Sequence, residues 1–258
     1  MNRQRTKFAI KLKVRGCALF LSFLFLLTGI AQTTQTGQIT KPKQSLNQPE
    51  LSKDEIKEAR ELLGSLGYWV NLDVEGLDVS LHHALIAFQK IEGRTRTGVL
   101  TKDEIEALRN ARRPQAIESG YAHIEIDLCR QVLFVVDCCG AILRILPVST
   151  GSGKCFTEGG RTRRAVTPTG RFKVIRKAKG WRKSPLGLLY YPNYIYDGVA
   201  IHGSPYVPVK PASHGCIRIP LFAAKEFFEM ATRGMAVLIH DSNRSLTTVA
   251  PQNSLPQA

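Results

Sequence analysis

The sequence predicts an α+β fold: a small three-helix domain followed by a mostly-β domain with one covering helix. Two observations carry this. Apolar residues from Leu51 to Asn110 recur at three- and four-residue spacing, and from Gly120 onward the period shortens toward two. Length agrees, since 258 residues leave room for one large domain or two modest ones. Hydrophobic residues make up 43% and charged residues 22%, which suits a globular chain and excludes a wholly disordered or multi-span membrane one.

In chain order, the first segment is a targeting one. Arg3, Arg5, Lys7, Lys11, Lys13 and Arg15 precede a charge-free apolar run over 17–31, with small Gly29 and Ala31 near its end. A basic start, a short apolar stretch and small residues at the −3 and −1 positions read as a signal peptide over 1–31. A bilayer span takes about 20 apolar residues, so the run is short for an anchor. An uncleaved signal-anchor stays as the alternative, and is the only membrane contact the sequence suggests. Residues 32–50 read as a flexible linker and 242–258 as a disordered tail. The expectation is an exported protein of the periplasm or cell wall.

Export also bears on charge. The net charge of +15 fits nucleic acid, an anionic membrane or an acidic polymer alike. Outside a bacterial cytoplasmic membrane the abundant anionic polymer is the wall, so no nucleic-acid partner is expected. Between Lys154 and Lys183 stand eleven basic residues against Glu158 alone. A solvated face explains them; attraction of wall-peptide carboxylates or other anionic wall polymers is the second reading. With Cys17 set aside, Cys129, Cys138, Cys139, Cys155 and Cys216 remain. Five is odd, so at least one thiol has no partner within the chain, and the other four, if paired, would allow three pairings.

The helical segment spans 51–113. Ser52-Lys-Asp-Glu55 is a capping-box pattern ahead of Ile56, Ala59, Leu62, Leu63 and Leu66, with Gly67 as the stop. Leu81, Ala84, Leu85 and Phe88 form a second stripe, and Thr101-Lys-Asp-Glu104 repeats the box before Ile105 and Leu108. His82 and His83 read as surface and interhelix residues, because no second set of ligands stands at metal spacing.

The β domain spans 119–241. His123-Ile-Glu-Ile-Asp-Leu128 and Gln131-Val-Leu-Phe-Val-Val-Asp137 flank a hairpin-like break at Cys129-Arg130, and strands are expected over 142–148, 172–175, 198–201 and 236–239. A helix begins near Pro220, turns Phe222, Ala223, Phe227 and Met230 inward and stops near Gly234. His123 and His240 fall in strand runs and read as packing or surface residues.

Chemistry concentrates in Ala200-Ile-His-Gly-Ser204 and Pro211-Ala-Ser-His-Gly-Cys-Ile-Arg-Ile219. A free thiol has a pKa of about 8.5 and is a weak nucleophile until a base takes its proton. An imidazole can do so and hold the thiolate as an ion pair. An acyl step also needs amides aimed at the developing oxyanion, which the chain beside Cys216 could offer if Gly215 lets it bend. The bland reading makes Cys216 a buried thiol and His202 and His214 packing groups. Zinc held by His202, His214 and Cys216 is a further alternative, though no acidic partner accompanies them.

The His202-Gly203 and Ser213-His214-Gly215-Cys216 pattern resembles the signature of the YkuD-type L,D-transpeptidases. Ser149-Thr-Gly151, Thr167-Pro-Thr-Gly-Arg-Phe172 and Asp127-Leu-Cys-Arg-Gln131 resemble further marks of that family, and the likeness spans 121–241. The connection from His202 to Cys216, 14 positions, is a short version of the usual one. Leu66-Gly67-Tyr68, Ala87-Phe88-Gln89 and Thr97-Gly98-Val-Leu-Thr101 resemble the three-helix peptidoglycan-binding domain, with a departure at Asp73-Val-Glu-Gly76; an ordinary helical spacer is the alternative. The first resemblance implies an L,D-transpeptidase fold. It makes Cys216 the nucleophile, His202 the general base, and Gly203 the carbonyl that orients the imidazole. His214, Gly215 and Cys216 would supply oxyanion amides. Ser213 and Arg218 would lie on the substrate side, Arg218 bracing the loop or meeting a carboxylate. It implies peptidoglycan stem peptides as partners and neither metal nor organic cofactor. It leaves open an L,D-carboxypeptidase, in which water takes the thioester, and a non-catalytic wall-binding protein.

Overall fold

The computed structural model describes residues 51–241; the signal, linker and tail readings lie outside the described residues. α1 (Lys53–Ser65) starts at Ser52, whose hydroxyl accepts from the Glu55 amide while the Glu55 carboxylate accepts from the Ser52 amide. The capping box therefore forms in both halves. α2 (Val79–Ile91) is capped by the Asp78 carboxylate, which accepts from the Ser80 and Leu81 amides. At α3 (Lys102–Asn110) only half of the second box forms. Thr101 accepts from the Glu104 amide, but the Glu104 carboxylate receives the Arg94 Nε at 3.1 Å instead. A charge-assisted bond to guanidinium outcompetes a neutral amide.

β1 (His123–Asp127), β2 (Val132–Val136), β3 (Ile142–Pro147), β6 (Gly170–Lys173) and β12 (Ala236–His240) form one sheet, in the order β3-β2-β1-β12-β6, with β1 and β12 parallel. β7 (Arg176–Lys177), β9 (Gly187–Tyr196), β10 (Val199–Ser204) and β11 (Ile217–Pro220) form a second, ordered β11-β10-β9-β7, and β8 (Trp181–Ser184) also pairs with β9. β4 (Cys155–Glu158) and β5 (Arg161–Arg164) make a separate hairpin. α4 (Leu221–Met230) follows β11, with Pro220 as its N-cap.

Alternation along β2 organises the interior. Leu133 and Val135 point into a core shared with Ile195, Ile201, Ile217 and Ile219 of the second sheet and with Phe227 of α4. Val132, Phe134 and Val136 point the other way, into a core shared with Leu63, Leu85, Phe88 and Leu108 of the helices. All five β2 residues are buried, which explains the unbroken Val-Leu-Phe-Val-Val run. The helices thus do not close a core of their own; they cover the outer face of the first sheet. Backbone joins them too, since Trp69 donates to Ile145 O and Ile145 to Gly67 O.

β4, β5, β7, β8, β9 and β11 are strands beyond those expected from the sequence. β5 is Arg-Thr-Arg-Arg and fully exposed, so no apolar alternation marks it. β9 contains Pro192 and a register shift where it meets β10, both of which hide a strand from pattern reading.

Candidate active site

β10 and β11 run parallel, with Ile201 opposite Ile217 and His202 opposite Arg218. Alternation sends Ile201, Ile217 and Ile219 into the core and leaves His202, Arg218 and Cys216, one position before β11, on the other face. Strand spacing and rise put the Cys216 and His202 Cα atoms about 8 Å apart, within joint reach of the two side chains. The register thus sets Cys216 and His202 at neighbouring positions of adjoining strands.

His202 is buried, and its Nδ1 lies 2.9 Å from Gly203 O. A carbonyl only accepts, so Nδ1 carries the hydrogen and, in the neutral ring, Nε2 keeps its lone pair. Gly203 serves a second purpose: a Cβ there would sit 2.6 Å from the Ala224 Cβ of α4, so only glycine lets the helix pack this close. Burial pushes the His202 pKa down to about 4, with Arg218 adding to the effect and the Gly203 carbonyl opposing it. Burial likewise pushes the Cys216 thiol up, against the Ala200 amide and the Arg218 charge, which favour the thiolate. Both directions favour a neutral thiol beside a neutral imidazole. A neutral resting pair would separate charge only as the thiol attacks. The Cys216 sulfur lies 3.8 Å from Gly198 O.

Gly215 bends the chain before the thiol at φ +136°, and a Cβ there would come within 3.1 Å of Val166 O. Its amide donates to Ser213 Oγ at 3.0 Å, and Ser213 Oγ donates to Cys216 O at 2.6 Å. These bonds tie the Gly215 amide and the buried Ser213 hydroxyl into the turn before the thiol. His214 is exposed, with its ring edge-on to Phe156 at 4.7 Å between centroids. It lines a cleft of about 390 Å³ together with Lys154, Cys155 and Lys210. Arg218 is half-buried; its amide donates to Ser149 O and its carbonyl accepts from the Ser149 amide.

Three residues that the sequence marked without a role hold this loop. Thr167 Oγ1 donates to Gly215 O at 2.7 Å and accepts from the Gly151 amide at 2.9 Å. Thr150 O accepts from both the Ala212 and Ser213 amides, and Ser149 Oγ donates to Lys210 O. Their signal was present in the two quoted motifs, but which turn they brace depends on folding. His83 stacks on Phe222 of α4, and His123 lies fully buried against Glu125, 2.9 Å away. None of the five cysteines 129–216 is in a disulfide. Among the described residues no three His, Cys, Asp or Glu side chains gather as a metal site.

Gly215→Ala is expected to cost about 2 kcal/mol of stability, because a non-glycine residue is strained at that φ. Turnover should fall further than stability, since the strain lies next to the sulfur. Thermal melts and rate assays on the same preparation check this.

A thiol and an oriented imidazole thus stand on adjoining strands of a two-sheet core. Residues 121–239 match the model of the L,D-transpeptidase catalytic domain, YkuD. The crystal structure of an L,D-transpeptidase from Xylanimonas cellulosilytica aligns at 34% identity and TM-score 0.68, covering 72% of this chain and 93% of that one. One from Stackebrandtia nassauensis aligns at 21% identity and TM-score 0.43, covering 73% of this chain and 92% of that one. A comparison with curated protein sequences gives no match. The chain belongs to the YkuD family of L,D-transpeptidases, enzymes that transfer acyl groups between peptidoglycan stem peptides.

Proposed function

We propose that the protein forms peptidoglycan cross-links through a thioester on Cys216. The observation that carries this is His202, with Nδ1 held by Gly203 O and Nε2 left as a base on the face that bears the thiol. As the sulfur attacks the carbonyl of the third stem residue, its proton passes to Nε2. The tetrahedral oxygen is met by backbone amides of the loop, with those of His214 and Cys216 as candidates. Collapse breaks the peptide C–N bond, and the imidazolium returns its proton to the departing D-amino acid. A side-chain amine of a second stem then attacks the thioester, gives up a proton to His202, and leaves cross-linked product and free thiol. The neutral resting pair suits this sequence, because charge forms only where the reaction needs it.

Incubation with a tetrapeptide stem, followed by product mass analysis, tests the reading. Cross-linked dimer supports transfer; tripeptide alone means hydrolysis; no turnover, with wall binding retained, means a binder. A strained lactam of the carbapenem type should also acylate Cys216. We further propose that 1–31 exports the chain to the periplasm or wall and that the helical segment contacts peptidoglycan. Arg161, Arg163 and Arg164 of β5 are exposed, as are Lys154 and Lys183. This surface is proposed to attract anionic wall polymers. Co-sedimentation with purified sacculi should then fall severalfold between 50 and 500 mM salt, roughly from a Debye length of 14 Å to 4 Å; unchanged retention refutes the attraction.

A further inference from the structure

Lys90 lies in the last turn of α2, is 2% exposed, and places its ammonium 3.0 Å from Gln131 O and 2.9 Å from Val148 O. A lysine buried in this way loses its hydration, and burial pushes its pKa down to about 7, with Arg96 adding to the effect. A helix contacting an apolar sheet face needs no cation, and a methionine would fill the same space. What the ammonium supplies is two bonds to backbone carbonyls at the point where β2 begins and β3 has ended. Protonation is not required for them, since a neutral amine still carries two N–H donors.

Both carbonyls lead to the nucleophile. Gln131 holds the left-handed φ of 60°, uncommon for a residue with a side chain, and its amide clamps Thr150. Its Oε1 accepts from the Thr150 amide at 2.9 Å, and its Nε2 donates to Thr150 Oγ1 at 2.7 Å. Thr150 O in turn accepts from the Ala212 and Ser213 amides, and Ser213 Oγ braces Gly215 and Cys216. Val148 leads directly into Ser149, which exchanges both backbone bonds with Arg218, two residues beyond the thiol. Segment 149–150 thus grips the Cys216 loop on both sides, and its origin is fixed by Lys90. A second, exposed link from the helices runs parallel, Arg96 Nη1 to Val209 O at 3.3 Å.

We infer that Lys90 is a positioning residue for Cys216, through which the helical segment becomes a working part of the acyl-transfer site. The inference rests on reading Cys216 as the nucleophile, but its geometry is measurable without turnover. Two readouts on the full chain test it: hydrogen–deuterium exchange of the peptide over 210–218, and the rate at which a carbapenem-type lactam adds to Cys216, followed by intact mass. Lys90→Met should raise exchange over 210–218 about tenfold through local opening and slow acylation about tenfold or more. Leu81→Ala, in the same helix and its buried core but outside the network, controls for stability alone. It should lower the melting temperature yet leave both readouts within about twofold. Thr150→Val breaks the chain further along. If Lys90 acts through it, Lys90→Met combined with Thr150→Val should lose little more acylation rate than the worse single variant. Should Lys90→Met fail to fold, Lys90→Gln, shorter but still a donor, carries the same comparison.

Wild-type exchange and acylation in Lys90→Met, equal losses in Leu81→Ala, or additive losses in the double variant would each overturn the inference. If the wild-type protein takes no lactam, the acyl-enzyme reading is what fails, and the exchange comparison still decides Lys90.

Discussion

Cys216→Ala is expected to bring turnover of a tetrapeptide stem to background, a loss on the order of 10⁴-fold or more, with the fold retained. On the proposed mechanism the thioester forms on this sulfur. Cys155, another thiol near the loop, lies on β4 and lines the cleft beside His214. Removing the sulfur costs little packing, because Cys216 lies only partly covered and outside both cores. The melting temperature should therefore shift by a few degrees at most, on the order of 1 kcal/mol. Cys216→Ser should retain at most a trace of activity, since a hydroxyl is far less nucleophilic than a thiol and His202 alone must deprotonate it. Rate assays, intact mass after incubation with lactam, and a thermal melt check all three statements. Retained turnover in Cys216→Ala would remove the thiol from the mechanism, whereas lost turnover with unchanged sacculus binding separates catalysis from adhesion.

The candidate thiol and base stand out in the sequence because the chemistry proposed for them is local. Ser-His-Gly-Cys places a brace, a bend and a thiol within four residues, and the need of a thiol nucleophile for a base points to Ile-His-Gly. The first core was legible where alternation is clean, as in β1. What stayed hidden depends on contacts distant in sequence. Lys90 meets its two carbonyls 41 and 58 positions later, and a lysine in a helix reads as a surface residue until the sheet is known to cover it. Thr167 meets the Gly215 carbonyl 48 positions later, so its motif shows no partner in the sequence. The placement of the helices over the first sheet was written into the five-residue apolar run of β2, since a strand buried on one face only would alternate. That signal is ambiguous alone, because a buried strand in a sandwich reads the same way. The charge state of the imidazole was beyond the sequence altogether: it follows from how deeply His202 is buried.

That burial sets the second large effect. His202→Asn, whose amide can still donate toward Gly203 O, should lower turnover by about 10²- to 10⁴-fold, the usual worth of a general base. The acid limb of kcat/KM should then distinguish two resting states. An exposed imidazole would titrate near 6.5, but His202 titrates at about 4, so Nε2 should stay a competent base well below neutrality and the limb should centre near pH 4. A limb near 6.5 would mean that the ring is hydrated in the working enzyme. Stability follows with a definite sign. Between pH 6.5 and 4 the unfolded chain binds a proton at this histidine while the folded chain does not. Stability present above 6.5 is therefore lost as pH falls toward 4, by about 3 kcal/mol from this residue. His83, also brought down to about 4 by burial, titrates in the same window, so the whole slope will not belong to the active site. Chemical denaturation of wild type and His202→Asn at pH 7 and pH 4.5 separates them. The variant should lose less stability on acidification, and an equal loss in both proteins would show that His202 is not buried as a neutral base.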